Sequence, residues 1–485
     1  MKRLLCLLLC LCLLWSLCAC AGAPTDAPAA SPPAGDSVPS VISDPSAPPP
    51  ETAALSGEMD PVNRTWPEMQ TADFWLALCD APQAVRMTPD EIAAYNAALA
   101  GRLGMESLAD WPGSLSAMRL TALLNTYPLS PDGSYYTPSG PITAEQQSEI
   151  AQNRNSAAVA QDNPVQYGFV IENALLRAYP SALPLYSTPG DIEFDMGAET
   201  ALKLWEPVLV LHTSADSQWL LVQACDYLGW IQARQVALCP RDRWETLCAA
   251  LREDFLTVLA PRLALEGSFT RPEQAETILR MGTRLPLAPA GSTADNASSD
   301  NCHVVLLPLR NEAGDLETAA ARIPAQEEVT VGALPFTTEN LLRQAFRLLG
   351  CRYGWGGTAD GWDCSSICQD VYRTMGLFLP RNSGDQAGLP DALAVETADT
   401  DQKQTLLSAQ LPGAMLELRG HQTLYLGDCG GESYVLHATH GVYDRTGAFH
   451  TANAVIVSSV QAYRANGKTL LENFRTFSLP RTVTP

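Results

Sequence analysis

The chain has 485 residues, with 53 Asp and Glu against 31 Lys and Arg, so its formal net charge at pH 7 is −22. This length predicts about three domains. The acidic balance argues against a nucleic-acid partner, because nucleic-acid binding requires a basic face.

Residues 1–19 have the composition of a signal peptide. Lys2 and Arg3 precede a nearly continuous apolar run from Leu4 to Leu17, which is too short and wrongly flanked for a transmembrane helix. The following letters, LCAC at positions 17–20, resemble the bacterial lipobox, which implies cleavage before Cys20 and lipidation of that cysteine. The alternative is an ordinary secretory signal that is cleaved a few residues later. Both interpretations predict an extracytoplasmic protein.

Two segments of different composition follow the signal. Residues 20–60 are rich in Pro, Ala, Ser, Thr and Gly and contain almost no aromatic residues, which predicts a disordered tether. Residues 61–160 are predicted to be mainly helical, because DFWLAL, TPDEIAAYNAALAGRLG and SLSAMRLTALLNTY show helical spacing. Thr88 followed by Pro89 is a favourable helix start. This region shows no catalytic pattern, and we expect it to have a packing role.

Residues 165–240 change to short β-rich runs separated by turn residues, which predicts a small β-barrel. Trp219 and the pair Gly229-Trp230 resemble the pattern of bacterial SH3-like cell-wall modules. Residues 241–334 combine a helical start with further strands and are predicted to form a second SH3-like barrel, interrupted by a polar loop at 290–300.

Most of the 14 cysteines show no regular spacing. No close pair has the C-x-x-C spacing with a partnering His or Cys pair that a zinc site requires. Apart from the signal region and the cysteine discussed next, we therefore predict buried thiols at positions 79, 225, 239, 248, 302, 351, 368 and 429.

The stretch from Tyr353 to Gln386 carries the clearest chemical signal. A glycine-rich turn leads into Asp363-Cys364-Ser365, directly before a helical pattern that ends at Gly376. A cysteine at a helix N-terminus has its thiolate favoured by free backbone N–H groups and by the helix dipole. This placement predicts that Cys364 is a nucleophile.

A thiol nucleophile requires a base and a group that orients the base. LPGAMLELRG, HQTLYLGD and SYVLHATHG are predicted to be successive antiparallel strands. His421 begins the second of these strands and His437 lies on the third. A helix that carries the cysteine, packed on a sheet that carries both histidines, is the arrangement of papain-like enzymes.

The region 335–470 resembles the NlpC/p60 family of cell-wall peptidases. The resemblance rests on YGWGG, DCSS, LPRNSGDQ, LPGAMLEL and GHQTLYLG. It implies Cys364 as nucleophile, His421 as base and His437 as the third polar residue, with no metal or organic cofactor. Ser366 replaces a usual glycine and Ala414 a usual aspartate. Gln422-Thr423 replaces Val-Gly beside the base.

The order of parts implies an α+β multidomain chain, with a helical N-terminal region and two small SH3-like β-barrels before a papain-like NlpC-type catalytic domain. It resembles a subgroup of γ-D-glutamyl-L-diamino acid endopeptidases, which implies peptidoglycan stem peptides or muropeptides as partners. In that subgroup the residues corresponding to Asp363, Ser365 and Ser383 hold the free amine of the terminal L-Ala. Tyr353 is a further substrate-binding candidate, because the resemblance implies that it assists the Cys364 backbone N–H at the oxyanion. Helix capping is the alternative role for Asp363, and a turn role is the alternative for Ser383.

These observations predict a lipid-anchored cysteine endopeptidase of a bacterial cell envelope, attached to the membrane through Cys20. Two alternatives remain open. One is a non-catalytic wall-binding lipoprotein, and the other is a papain-like amidase or acyltransferase that acts on another substrate.

Overall fold

The protein is described by a computed structural model that covers Leu55 and residues 57–129, 135–295 and 297–482. No helix in these ranges combines the length and apolar character needed to cross a bilayer. The predicted signal peptide, Cys20 and most of the predicted tether lie outside the described residues.

The N-terminal part contains short helices, as its periodicity predicts. Thr88 begins the second helix with a capping box, in which the Thr88 side chain accepts from the Glu91 backbone N–H and the Glu91 side chain accepts from the Thr88 N–H. The elements of this part are α1 (Ala72–Leu76), α2 (Pro89–Leu99), β1 (Ser114–Ser116), α3 (Ala117–Leu124), β2 (Tyr136–Thr137), β3 (Gly140–Pro141) and α4 (Ala144–Asn153).

These N-terminal helices share a hydrophobic core with the C-terminal part of the chain. Trp75 of α1 and Tyr95 of α2 are buried in the same cluster as Leu341 and Leu377. The Trp75 ring lies 5.3 Å from the Tyr434 ring, centroid to centroid. The N-terminal helices therefore support the C-terminal domain directly, which local periodicity could not reveal.

The predicted SH3-like region forms one antiparallel sheet in the order β11-β5-β8-β9-β10-β6-β7. Trp230 is buried, and a Cβ at Gly229 would lie 3.1 Å from the Arg177 carbonyl oxygen, so the glycine lets the neighbouring strand approach closely. A short strand, β4 (Asp162–Pro164), pairs with β1. The sheet strands are β5 (Gln166–Val170), β6 (Ala174–Arg177), β7 (Ala198–Leu202), β8 (Pro207–Thr213), β9 (Trp219–Gln223), β10 (Leu228–Gln232) and β11 (Val236–Cys239).

Residues 241–334 contain the expected strands, divided among three small sheets. Their core is continuous with that of the SH3-like sheet, because Trp205 Nε1 donates to the Leu306 carbonyl at 2.7 Å and Trp244 Nε1 donates to the Gly168 carbonyl at 3.2 Å. The elements are α5 (Arg241–Glu253), β12 (Phe255–Val258), β13 (Arg262–Ala264), β14 (Ile278–Arg280), β15 (Arg284–Pro286), β16 (Cys302–Arg310), β17 (Leu316–Pro324) and β18 (Val329–Val331).

The C-terminal domain packs helices against an antiparallel sheet in the order β19-β24-β20-β21-β22-β23. Ile367 and Val371 of its central helix are fully buried. This helix ends at Arg373, three residues before the predicted stop at Gly376, which has a φ of +87° in the turn that follows. The elements are α6 (Thr338–Arg347), α7 (Cys364–Arg373), α8 (Ser383–Gln386), β19 (Leu393–Ala394), α9 (Thr400–Ser408), β20 (Met415–Leu418), β21 (His421–Cys429), β22 (Glu432–Tyr443), β23 (Phe449–Ser459), α10 (Leu470–Asn473) and β24 (Phe474–Ser478).

The first described residues lie against the end of β23, an edge strand of this sheet. Asp60 and Thr65 form a β-bridge, and the Ser459 backbone N–H donates to the Asn63 carbonyl at 2.9 Å. Arg64 forms an ion pair with Glu432 of β22. The described end of the predicted tether, residues 57–60, is thus continuous with a segment that is folded onto the C-terminal domain.

Candidate active site

A tight glycine turn positions the start of α7. Gly356 and Gly357 have φ values of +59° and +89°, which side-chain-bearing residues rarely adopt. A Cβ at Gly356 would lie 2.6 Å from the Ala198 carbonyl oxygen of β7. Both the backbone conformation and the close approach to the SH3-like sheet therefore require glycine in the YGWGG motif.

Asp363 caps the helix and leaves Cys364 as its first residue. The Asp363 carboxylate accepts from the Ser366 N–H at 3.0 Å, and the Ser366 hydroxyl oxygen accepts from the Asp363 N–H at 2.9 Å. Cys364 consequently lies in the first turn, where the helix dipole favours a thiolate. Ser366, which replaces a usual family glycine, completes the capping box.

Asp363 also forms a buried ion pair with Arg381. Both residues are 5% exposed, and the guanidinium contacts both carboxylate oxygens. Arg381 further donates to the hydroxyls of Ser365, at 2.8 Å, and of Thr200 on β7, at 2.7 Å. Burial alone would raise the pKa of Asp363, but Arg381 and backbone N–H donors hold that pKa below its ordinary value.

The other predicted substrate-binding residues lie around the same helix start. Ser383 is half-buried and begins α8, which is tied to α7 because the Gln386 side chain donates to the Ser365 carbonyl at 3.2 Å. Tyr353 precedes the glycine turn. Burial raises the pKa of Tyr353, and negative charge on Cys364 would raise it further. Asp363 and Ser365 are thus joined through Arg381, and Ser383 and Tyr353 lie on the segments that flank them.

The two predicted histidines are in contact. His421 is the first residue of β21, and His421 Nε2 lies 2.8 Å from His437 Nδ1 on β22. Leu424 pairs with Leu436, so the two histidines lie on the same face, one diagonal step apart. His437 Nε2 in turn lies 3.1 Å from the hydroxyl of Ser458 on β23.

Burial favours the neutral forms of the thiol and of both imidazoles. It raises the pKa of Cys364 to about 11, although a hydrogen bond from the Gln422 backbone N–H acts in the opposite direction. Burial lowers the pKa of His437 to about 3 and that of His421 well below its ordinary value. His421 Nε2 is engaged by His437, so Nδ1 is the ring nitrogen left for another partner.

The SH3-like region contributes residues that sequence reasoning missed. Phe194, in the loop between β6 and β7, packs its ring 6.0 Å from Tyr353, 5.8 Å from Trp355 and 5.3 Å from His440, centroid to centroid. The adjacent Glu193 pairs with His440 at 2.9 Å. No local motif marks this loop as a part of the site.

Two further charged groups were also missed. Arg464, in the loop after β23, lowers the pKa of His421 and His437 by its positive charge. Glu199 of β7 accepts a hydrogen bond from the Tyr227 hydroxyl, and burial raises the pKa of Glu199. The site therefore lies where the SH3-like sheet meets the C-terminal domain.

None of the cysteines in the described ranges forms a disulfide. The prediction of buried thiols is confirmed for Cys248, Cys368 and Cys429. It is wrong for the cysteines at positions 79, 225, 239, 302 and 351, which are half-buried because one side of each remains open to solvent. Within the same ranges, His, Cys, Asp and Glu side chains form no cluster of three or more that could hold a metal ion.

Two family models match the chain. The model described as NlpC/P60 family matches residues 350–460, and the model described as SH3 domain of the SH3b1 type matches residues 184–232. The first match contains Cys364, His421 and His437. The second lies within the region in which the sequence predicts an SH3-like barrel.

Two curated proteins, both named gamma-D-glutamyl-L-lysine dipeptidyl-peptidase, are similar to parts of the chain. The protein of Bacillus cereus (strain ATCC 10987 / NRS 248) is 26% identical over 243 residues, which are 47% of this chain and 65% of that protein. The protein of Bacillus subtilis (strain 168) is 34% identical over 62 residues, which are 13% of this chain and 21% of that protein. The matches thus span less than two thirds of the length of either relative.

A solved structure supports the arrangement of domains. An NlpC/P60 endopeptidase of Photobacterium damselae subsp. piscicida matches with a TM-score of 0.67 and 18% identity, over 87% of this chain and 99% of that chain. At this identity the match shows a shared fold. The shared fold extends over both the region that matches the SH3 model and the region that matches the NlpC/P60 model.

Proposed function

We propose that the protein is a cysteine endopeptidase that cleaves peptidoglycan stem peptides at the bond between γ-D-Glu and the following diamino acid. The observation that carries this proposal is that Cys364 starts α7 and accepts from the backbone N–H of Gln422, the residue that follows His421. His421 is itself hydrogen-bonded to His437. The match of residues 350–460 to the NlpC/P60 family model and the names of the two curated relatives support the same reaction.

Acylation begins with proton transfer. His421 Nδ1 takes the Cys364 proton while the sulfur attacks the γ-glutamyl carbonyl carbon. The carbonyl oxygen becomes an oxyanion, and the free backbone N–H of Cys364 at the helix start is a suitable donor to it. Negative charge on the sulfur is favoured by the helix dipole and by the hydrogen bond from Gln422.

Collapse of the tetrahedral intermediate breaks the C–N bond. The His421 imidazolium returns its proton to the leaving amine of the diamino acid, and a thioester to Cys364 remains. Water then loses a proton to His421 and attacks the thioester, which releases the γ-glutamyl acid and regenerates the thiol. His437 orients the His421 ring throughout this cycle.

Recognition of a free L-Ala amine remains part of the proposal, with Asp363, Ser365 and Ser383 as its candidate contacts. Asp363 is already engaged by Arg381 and by two backbone N–H groups, so binding an ammonium there would require the ion pair to open. Glu199, on the strand against which the glycine turn packs, is a second acid near this point. A buried ammonium requires such a partner.

Two other functions compete with this proposal. A non-catalytic wall-binding lipoprotein would bind muropeptides without cleaving them, whereas an amidase or acyltransferase would release different products. Incubation of the mature protein with defined muropeptides, followed by mass determination of the products, separates the three. Products split between γ-D-Glu and the diamino acid support the proposal, and intact substrate or a different cleavage position contradicts it.

The proposal includes attachment to the outer face of a bacterial membrane through lipid on Cys20. Its support is the composition of residues 1–19 and the LCAC sequence that ends the signal. The segment of about forty residues that follows would allow the folded part to reach away from the membrane.

A further inference from the structure

The hydrogen-bond chain that starts at His421 continues beyond His437 into the N-terminal segment. Ser458 on β23, which contacts His437 Nε2, donates its hydroxyl proton to Asn63 Oδ1 at 3.0 Å. Asn63 Nδ2 donates to Asp60 Oδ2 at 2.8 Å. We propose that Asp60 and Asn63 are positioning residues that set the tautomer of His421, and so make it a base towards Cys364.

Asp60 fixes which group donates and which accepts at each step of the hydrogen-bond chain. A carboxylate accepts hydrogen bonds and does not donate them. Asp60 Oδ1 accepts from the backbone N–H groups of Val62 and Asn63, at 2.8 and 3.2 Å, which leaves Oδ2 for the Asn63 side chain. Asn63 must therefore turn its amide nitrogen towards Asp60 and its amide oxygen towards Ser458.

The orientation of Asn63 determines the donor and acceptor roles of Ser458 and His437. An amide oxygen only accepts, so the Ser458 hydroxyl must donate to it. The oxygen of Ser458, which is fully buried, is then available to His437 only as an acceptor. His437 consequently carries its proton on Nε2, and its Nδ1 presents a lone pair to His421.

The last hydrogen bond, between the two histidines, determines which nitrogen of His421 can act as the base. Because His437 Nδ1 accepts, His421 must donate from Nε2, at the observed 2.8 Å. His421 Nδ1 is then unprotonated and can take the proton of Cys364. If every bond were reversed, His421 would carry its proton on Nδ1 and could not accept another there in the neutral state. Because both rings are buried, water has little access to move the proton from one ring nitrogen to the other.

This inference rests on the proposed function for its catalytic meaning, but the tautomers themselves can be measured without a substrate. The structure provides isosteric variants for the test. In Asp60→Asn, the new amide can donate to Asn63, which then turns its oxygen towards position 60 and its nitrogen towards Ser458. Ser458 would then donate to His437, and the donor and acceptor roles would be exchanged in every hydrogen bond up to His421.

The double variant, Asp60→Asn combined with Asn63→Asp, should restore the original direction. The amide introduced at position 60 accepts the backbone N–H groups with its oxygen and donates with its nitrogen, while the carboxylate introduced at position 63 accepts from both that amide and Ser458. The control is Glu432→Gln, which weakens the bond from Arg64 Nε to Glu432 Oε2, 3.0 Å long, that fastens the same segment without entering the chain. A purely structural role of the segment would make this control resemble Asp60→Asn.

The experiment combines ¹⁵N NMR of labelled histidines with the rate at which iodoacetamide alkylates Cys364, read from that peptide by mass spectrometry. Wild type, the double variant and Glu432→Gln should show both rings protonated at Nε2. Asp60→Asn should show them protonated at Nδ1, with alkylation of Cys364 at neutral pH slower by about 100-fold, because the general base is lost.

Retention of Nε2 protonation in Asp60→Asn would overturn the inference, and so would failure of the double variant to restore the wild-type tautomers. The same change in Glu432→Gln would also overturn it. If the wild-type protein shows the expected tautomers and cleaves no muropeptide, the proposed function fails and the structural inference stands.

Discussion

Arg381 and Asp363 form a buried ion pair at the base of the nucleophile's helix. Each is 5% exposed, and Arg381 joins the helix cap to Thr200 of the SH3 domain. The pair therefore connects the position of Cys364 to the packing of two domains. This relationship explains why a helix start with an acidic cap can be buried at a domain junction.

Removal of one partner of this pair should destabilise the protein strongly. Asp363→Asn leaves Arg381 as an uncompensated buried charge, and the free energy of unfolding should fall by about 3–5 kcal/mol. Urea denaturation measures the change. Glu172→Gln, which removes an exposed ion pair with Arg234, serves as the control and should stay within about 0.5 kcal/mol of wild type.

The same pair predicts how stability depends on pH. Since the pKa of Asp363 is lowered in the folded state, its stabilising contribution is present above the ordinary Asp pKa and is lost as the pH falls through the folded value. A wild-type acid-unfolding curve should therefore be steeper than that of Asp363→Asn. Parallel curves would contradict this account of the pair.

Cys364→Ala should abolish cleavage, with turnover reduced by about 10⁴-fold or more, because no other group replaces the nucleophile. His421→Ala should lose activity similarly. Cys368→Ala is a matched control, since Cys368 is a buried thiol one helical turn further along α7. Hydrolysis of a defined muropeptide measures all three. Turnover near the wild-type level in Cys364→Ala would refute the mechanism.

The pH dependence of the thiol should reveal a neutral resting pair. The pKa of Cys364 is raised to about 11, so alkylation by iodoacetamide should keep rising with pH until that region. The pKa of His421 is lowered, so its imidazole should remain unprotonated, and active as a base, below the ordinary histidine pKa of about 6.5. An alkylation plateau already at neutral pH would indicate a resting thiolate–imidazolium pair instead.

The sequence predicts the helix and strands of the site because their signals are local. Asp363 begins a capping box, and His421 and His437 lie in β-rich runs that are separated by a glycine-rich turn. Asn63 and Phe194 could not be assigned in this way. Their roles depend on loops that reach the site only after the N-terminal segment and the SH3 domain have packed on it.

The predicted lipid anchor gives a direct cellular test. Cys20→Ser removes the thiol that would be acylated, so the protein should move from the membrane fraction to the soluble extracytoplasmic fraction. Metabolic labelling with a fatty-acid analogue measures the modification. Cys79→Ser is the control, because Cys79 is a half-buried thiol of the folded part. Absence of label on the wild-type protein in its host would contradict the anchor.

The final prediction concerns the free amine of the substrate. Stem peptides that begin with L-Ala-γ-D-Glu should be cleaved much faster than stems joined to muramic acid or acetylated at the amine, because an ammonium can pair with an acid at the domain junction. The ratio of kcat/KM for free and acetylated peptides measures this preference. Equal rates would contradict it and would favour a general wall hydrolase.

Two variants distinguish the acid that is responsible. Asp363→Asn should reduce the preference if the Arg381 pair opens to admit the ammonium, whereas Glu199→Gln should reduce it if Glu199 is the partner. Tyr227→Phe is a matched control for Glu199, since it removes only the hydroxyl that donates to this carboxylate. Loss of one charged contact should lower kcat/KM for the free peptide by about 10- to 100-fold, equivalent to roughly 1.4–2.7 kcal/mol, and leave the acetylated peptide nearly unchanged. An equal loss on both peptides would assign the altered residue a structural role and exclude it as the ammonium's partner.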